Sequence, residues 1–311
     1  MRHLVQALGP LAPGDRVALL SASGPPSGRQ LDRAEELIRD WGLVPVRYPS
    51  ATARHPLHDY LAGSDAQRAR DVEDAWCDPS INAVFCVRGG YGSVRVLDLL
   101  DADRMRAATP KPLFGSSDVT ALHEWLREQI GVCTWHTPMI ATGDLLDDPV
   151  AIVNLRQAVF EPWEGRRYVR PGAEVWVPGT AAGRLIGGNL SLLAMTTGAR
   201  GRPALDNSGC LALIEDVTED TYKFDGYFQT LLRSGWFDGL AGIVLGSWRD
   251  CRPDEVRALA GELLIPLGVP LVWEFGFGHD RESMCLPLGV NALLSAEEPE
   301  PSLTLEGGVQ G

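Results

Sequence analysis

The chain predicts an α/β fold with a mostly parallel amino-terminal sheet and a smaller, mixed α/β, partly barrel-like carboxy-terminal part. Three observations predict it. Between Gly14 and about Ile140, short apolar runs alternate with amphipathic stretches, the pattern of strands joined by crossover helices. Residues 83–87 are apolar throughout, as in a strand covered on both faces. After about residue 181 strands and helices are mixed, and the last strands are short and closely spaced.

The elements follow in order. Residues 16–21 read as a first buried strand, ended by Ser23-Gly24-Pro25-Pro26. Leu31, Ala34, Leu37 and Ile38 share one helical face, and residues 43–48 form the next strand. A helix over 65–76 stops at Asp78-Pro79 before the strand at 83–87. A helix carrying Val94, Leu97 and Leu100 follows, and strands at 112–114 and 132–135 flank a helix over 119–128. Residues 161–180 turn rich in Pro, Gly, Arg and Trp without a clear period and read as a linker with some short strands. Thus 1–160 is expected as the first domain and 181–311 as the second. The second should hold a helix opened by Gly187-Gly188-Asn189, strands at 210–214 and 239–245 around a helix over 222–233, and short strands near Leu271, Cys285 and Leu303.

With 311 residues, 45% hydrophobic and 22% charged, the chain can bury two cores. A formal net charge of -13 argues against a nucleic-acid groove or an anionic membrane surface. Partners should be small molecules or a second copy. No signal-peptide core or membrane-length apolar run is present, so a cytoplasmic location is expected. The six cysteines form no C-x-x-C pair and read as buried thiols rather than metal ligands or disulfides.

Three separated segments carry chemistry: Phe114-Gly115-Ser116-Ser117-Asp118, Leu213-Ile214-Glu215-Asp216 and Phe277-Gly278-His279-Asp280. A serine hydroxyl becomes a competent nucleophile when an imidazole takes its proton and a carboxylate holds the other ring nitrogen. The order Ser, acid, His is that of α/β-hydrolases, yet Val119 stands where their G-x-S-x-G elbow has its second glycine. A Ser-Asp pair before an apolar helix also serves as an N-cap. Ser116 rivals Ser117, Glu219 rivals Glu215, and His55, His58, His123 and His136 are other imidazoles. Arg88-Gly89-Gly90-Tyr91-Gly92 ends the strongest strand; it matches neither a dinucleotide fingerprint nor a P-loop and is expected to form an oxyanion hole or a tight turn. Gly90 and Asp118 would supply the oxyanion amides.

These segments, with Ala62-Gly63-Ser64-Asp65, Gly187-Gly188-Asn189-Leu190 and Leu286-Pro287-Leu288-Gly289, resemble the LD-carboxypeptidase family of serine peptidases, which includes the microcin C self-immunity peptidases. The resemblance covers almost the whole chain. It implies a Rossmann-like amino-terminal domain carrying nucleophile and oxyanion hole, and a carboxy-terminal domain carrying the rest of a Ser117-Glu215-His279 triad. Ser116 stands at the family's usual aromatic position. The implied reaction is hydrolysis of the L,D-peptide bond of murein tetrapeptide in peptidoglycan recycling, without metal or organic cofactor. The alternative is a microcin-C-like immunity peptidase cleaving a peptidyl- or aminoacyl-nucleotide amide, toward which Ile186 leans, since murein-type members often carry Trp there. A non-catalytic small-ligand binding protein is the third reading. Trp176 could stack on a base and Lys223 could pair with a substrate carboxylate. A homodimer is expected from the family alone.

Overall fold

Strand β1 (Arg16–Leu20) buries Val17, Ala18, Leu19 and Leu20 completely, which requires cover on both faces. The computed structural model, which describes residues 9–199 and 206–307, supplies it. The chain divides into two units, one reaching Pro162 and taking back Arg281–Pro287, the other formed by Trp163–Asp280 and the residues from Leu288 onward.

In the first unit β1 leads to α1 (Gly28–Asp40), capped by the Ser27 hydroxyl accepting the Gln30 amide at 3.2 Å. Then come β2 (Val44–Arg47) and α2 (Asp65–Cys77), whose cap is Ser64 of the Ala62-Gly63-Ser64-Asp65 segment. Strand β3 (Ala83–Cys86), α3 (Ala102–Ala107), β4 (Leu113–Gly115), α4 (Thr120–Trp125), β5 (Thr134–His136), α5 (Gly143–Leu146) and α6 (Pro149–Phe160) follow. The β2-β1-β3-β4-β5 pairings are all parallel. A returning strand, Leu286–Leu288, adds beside β5 as a sixth.

Two expected helices are interrupted. The one with Val94, Leu97 and Leu100 is a pair of single 3-10 turns, Ser93–Arg95 and Leu97–Leu99, followed by α3. The Ser93 amide donates to the Asp118 carboxylate at 2.7 Å, a tertiary cap on the first turn, and the Gly92 carbonyl before it is held by the Arg68 guanidinium at 2.8 Å. The helix over 119–128 is a 3-10 turn, then α4, then a wide turn at Leu126–Ile130 ended by Gly131 at φ +80°.

The second unit holds β6 (Arg167–Val169), β7 (Glu174–Val177), β8 (Gly179–Asn189), α7 (Leu190–Thr196), β9 (Cys210–Val217), α8 (Thr221–Arg233), β10 (Gly242–Arg249), α9 (Pro253–Leu264) and β11 (Leu271–Trp273). Counting the returning strand as β12, β13 (Asn291–Ala296) and β14 (Ser302–Leu305) complete it. Its sheet runs β6-β14-β13-β8-β9-β10-β11-β7, parallel through β8 to β11 and antiparallel toward both edges. This mixed sheet is open, with β6 and β7 as its two edges. Ala212, Ile214, Ile243 and Leu245 face Phe224 and Phe228 of α8 in its core. Residues 161–180 carry β6, β7 and the start of β8, all within this sheet.

No helix among the described residues is long and apolar enough to cross a membrane. Cys86, Cys133, Cys210 and Cys285 are buried and Cys77 and Cys251 are partly exposed, with no disulfide among the described residues.

Candidate active site

Strand β4 ends at Gly115, and two residues later Ser117 adopts φ 57°, the left-handed region that costs an L-residue roughly 1–2 kcal/mol. No side-chain cap bond is made at the start of the 3-10 turn or of α4, so the hydroxyl is not spent as an N-cap. Ser116 is buried, with its amide against the Met139 sulfur at 3.2 Å, whereas Ser117 is half-buried. A strained serine on a sharp strand-to-helix turn is the nucleophile-elbow arrangement, reached here without its second glycine.

The neighbouring turn is shaped around that serine. A Cβ on Gly89 would stand 2.9 Å from Ser117 Cβ, 3.0 Å from its Oγ and 3.6 Å from the Asp118 nitrogen. Only glycine leaves this approach open. Gly90 follows at φ +99°.

What holds the strain is buried beneath. The Asp118 carboxylate is wholly inaccessible, and its Oδ2 accepts the Ser23 hydroxyl at 2.5 Å and the Ser93 amide at 2.7 Å. Its backbone carbonyl accepts the Ser93 hydroxyl. Burial pushes the Asp118 carboxyl above its ordinary range, against the lowering effect of those donors. Arg68, also inaccessible, donates from Nη1 to the Gly92 carbonyl at 2.8 Å and to the Ala22 carbonyl. One buried acid and one buried base thus tie together the loops following β1, β3 and β4. The roles of Arg68 and Ser93, and that of the Asp118 carboxylate, leave no local signature beyond an Arg and an Asp on otherwise apolar faces.

The second unit places an acid and an imidazole together. Glu215, inside β9, is wholly inaccessible, and its Oε2 lies 2.6 Å from His279 Nδ1. Facing a carboxylate, Nδ1 carries the proton and Nε2 is the basic nitrogen. The imidazole is partly exposed, with 17% of the side chain accessible.

The turn bearing His279 is clamped by β10, whose register against β9 shifts between Leu245 and Trp248. Ser247 Oγ in that bulge accepts the amides of His279 at 3.0 Å and Asp280 at 3.2 Å. Arg249 Nη1 donates to the His279 carbonyl at 2.9 Å. Gly278, at φ +112°, could not carry a Cβ, which would lie 2.7 Å from both Glu215 Oε2 and Ser247 Oγ. Ser247 and Arg249 were not anticipated, because bulge residues carry no sequence signature.

The Gly187-Gly188-Asn189 segment opens α7 as expected and also holds Asp216. Asn189 caps α7 and donates to Asp216 Oδ1 at 2.8 Å, and the Ser191 amide donates to Oδ2 at 2.8 Å. Burial, then the Glu215 charge, pushes the Asp216 carboxyl up to about 7. Ile186 is buried in the core of this unit, so its side chain presents no surface to a ligand.

The other candidates have their own engagements. Glu219 pairs with Lys223 at 2.7 Å across the start of α8. Trp176 stacks on Trp273 at 4.6 Å, with the Arg257 guanidinium 5.3 Å over its ring, and lines a surface cavity with Glu174, Arg257 and Ile265 to which neither Glu215 nor His279 contributes. Burial drives His123 down to about 3, and its Nε2 donates to the Gly115 carbonyl at 2.9 Å, making it a neutral strut under the elbow. His136 is buried in β5, and His55 stacks on His58. Of the three predicted triad residues, Ser117 belongs to the first unit and Glu215 and His279, in direct contact, to the second.

Comparison with known proteins identifies both halves of the chain. Residues 17–137 match the model of the LD-carboxypeptidase N-terminal domain and residues 182–294 that of the LD-carboxypeptidase C-terminal domain. A Streptomyces coelicolor protein described as a carboxypeptidase is 46% identical over 96% of this chain and 95% of its own length. The Escherichia coli microcin C7 self-immunity protein is 26% identical over 95% of this chain and 94% of its own. The solved muramoyltetrapeptide carboxypeptidase of Oxalobacter formigenes superposes with a TM-score of 0.80 at 25% identity, over 94% of this chain and 99% of that one.

Proposed function

The chain belongs to the LD-carboxypeptidase family of peptidases, and from that premise we propose that it is a serine carboxypeptidase hydrolysing the L,D amide before the terminal D-alanine of a murein tetrapeptide. The observation that carries the reading is the 2.6 Å contact of His279 Nδ1 with the inaccessible Glu215 carboxylate, which leaves a basic nitrogen on a partly exposed ring. In the reaction His279 takes the Ser117 proton, and the Ser117 oxygen attacks the scissile carbonyl. The Gly90 and Asp118 amides receive the negative charge that develops on the carbonyl oxygen. Glu215 stabilises the imidazolium, which gives its proton to the leaving D-alanine amine; water then repeats the sequence on the acyl-enzyme. These steps use only side chains and backbone of this chain.

The relationship to the self-immunity protein keeps a peptidyl-nucleotide amide as a comparison substrate, although buried Ile186 and stacked Trp176 give it no particular support here. The test is mass spectrometry of products after incubation with murein tetrapeptide and, separately, with aspartyl sulfamoyl-adenosine. D-alanine release by the wild type and its loss in Ser117→Ala, with the thermal unfolding midpoint retained, are expected. Cleavage of the nucleotide amide alone would replace the substrate assignment. Undiminished turnover in Ser117→Ala would end the mechanism.

A further inference from the structure

The first sheet, read outward from the strand before Ser117, runs β4, β3, β1, β2, all parallel, so the loops at their carboxyl ends share one rim. Strand order reverses between β1 and β3, and ligands of open α/β sheets sit at such a switch point. Three loops converge there. The Gly24 amide donates to the Gly89 carbonyl at 3.0 Å, and a Cβ on Gly24 would stand 2.9 Å from Gly89 O and 3.1 Å from Tyr60 O. Gly89 in turn lies against Ser117.

From this point a row of rings runs along the rim. Tyr91, next to Gly90, has its centroid 6.0 Å from that of Tyr60; Tyr60 lies 5.5 Å from His58, and His58 stacks on His55 at 4.8 Å. Tyr60 is 49% and Tyr91 39% exposed, so the row is not core packing. It is nevertheless ordered: His55 Nδ1 accepts the amides of Leu57 and His58 at 3.2 and 3.1 Å, fixing that ring and its tautomer.

We propose that Tyr91, Tyr60, His58 and His55 form a stacking subsite for the sugar of a muramoyl peptide, beside the reacting serine. The inference rests on the murein reading above and adds to it the part of the substrate remote from the scissile bond. Tyr91 and Tyr60 meet edge to face at 64°, and the faces of these exposed rings carry negative charge density that attracts the slightly positive C–H face of a pyranose, while stacked His58 and His55 buttress Tyr60. Three amino-acid units and a lactyl link of similar length separate that sugar from the scissile carbonyl, about 14 Å when extended. The ring row, in steps of 6.0, 5.5 and 4.8 Å, spans that scale.

The test compares kcat/KM for the disaccharide-tetrapeptide and the free tetrapeptide on each protein, a ratio that cancels any loss of folded enzyme. The wild type should favour the glycosylated substrate roughly threefold to tenfold, the scale of one or two ring contacts. In Tyr60→Ala and His58→Ala the ratio should fall toward one. A wild-type ratio of one, or an undiminished ratio in both variants, overturns the subsite. Independently of turnover, the peptide-free amino-sugar disaccharide should shift the imidazole C–H resonances of His55 and His58; no shift, or a larger shift with adenosine monophosphate, overturns it. Disaccharide shifts without tetrapeptide cleavage would uphold the subsite and fail the proposed reaction, and cleavage without shifts would do the reverse.

Discussion

Replacing Ser247 by alanine isolates what holds the imidazole in place, because Ser247 contacts the backbone of the His279 turn rather than the ring. Its hydroxyl accepts two amides, His279 at 3.0 Å and Asp280 at 3.2 Å, in a site where the residue is 6% exposed. Each such bond contributes about 0.5–1.5 kcal/mol, and a donor left without a partner away from water costs at least as much. About 2 kcal/mol is therefore lost from the turn. The Arg249 bond to the His279 carbonyl and the packing of Phe277 remain, so the protein folds while the ring gains freedom relative to Glu215. If that energy appears as displaced imidazole, kcat falls roughly 30-fold with little change in KM. The assay is steady-state release of D-alanine from tetrapeptide, paired with proton NMR of the His279 Nδ1–H resonance, which a short bond to a carboxylate moves far downfield. In Ser247→Ala that resonance should broaden or vanish, and Ser247→Thr, which keeps the hydroxyl, should restore it together with most of kcat. A twofold or smaller fall in kcat with an unchanged resonance would refute the clamp.

Gly89→Ala should lower kcat at least 100-fold with the protein folded, as judged by circular dichroism, because its Cβ would stand 2.9 Å from Ser117 Cβ and 3.0 Å from Oγ and force the serine aside. Wild-type turnover in that variant would show that Ser117 does not react from its observed position. His123, held neutral down to about pH 3 by burial, takes up a proton in the unfolded chain near its ordinary 6.5. Between those values the unfolded state binds more protons, so this residue's contribution is fully present above pH 6.5 and is lost as pH falls toward 3. Its slope is at most about 1.4 kcal/mol per pH unit. Urea titrations at pH 4, 5 and 6 should show a shallower decline in His123→Gln than in the wild type, and parallel lines would contradict the assignment.

Much of the fold was legible because burial on both faces leaves a local mark. The apolar stretches 17–20 and 83–87 read as covered strands, and the apolar face of Leu31, Ala34, Leu37 and Ile38 marks the helix between the first two strands. The helix expected to carry Val94, Leu97 and Leu100 is two 3-10 turns: its apolar spacing is helical, while the Gly92 carbonyl at its start is engaged by Arg68, distant in sequence. Short strands reveal their existence but not whether the two edges of their sheet meet.

The sequence by itself determined the family, the α/β class and the residue types in the three chemical segments, since glycines, a serine, an acid and a histidine beside apolar runs are local facts. Only the tertiary structure decided that Ser117 carries the strained φ of 57° while Ser116 is buried, that Glu215 rather than Glu219 meets the His279 ring, and that Lys223 is already paired. Each of these depends on which backbone lies within a few ångströms of which side chain. Strand pairing sets that distance between residues tens of positions apart, and no local pattern of residues encodes it.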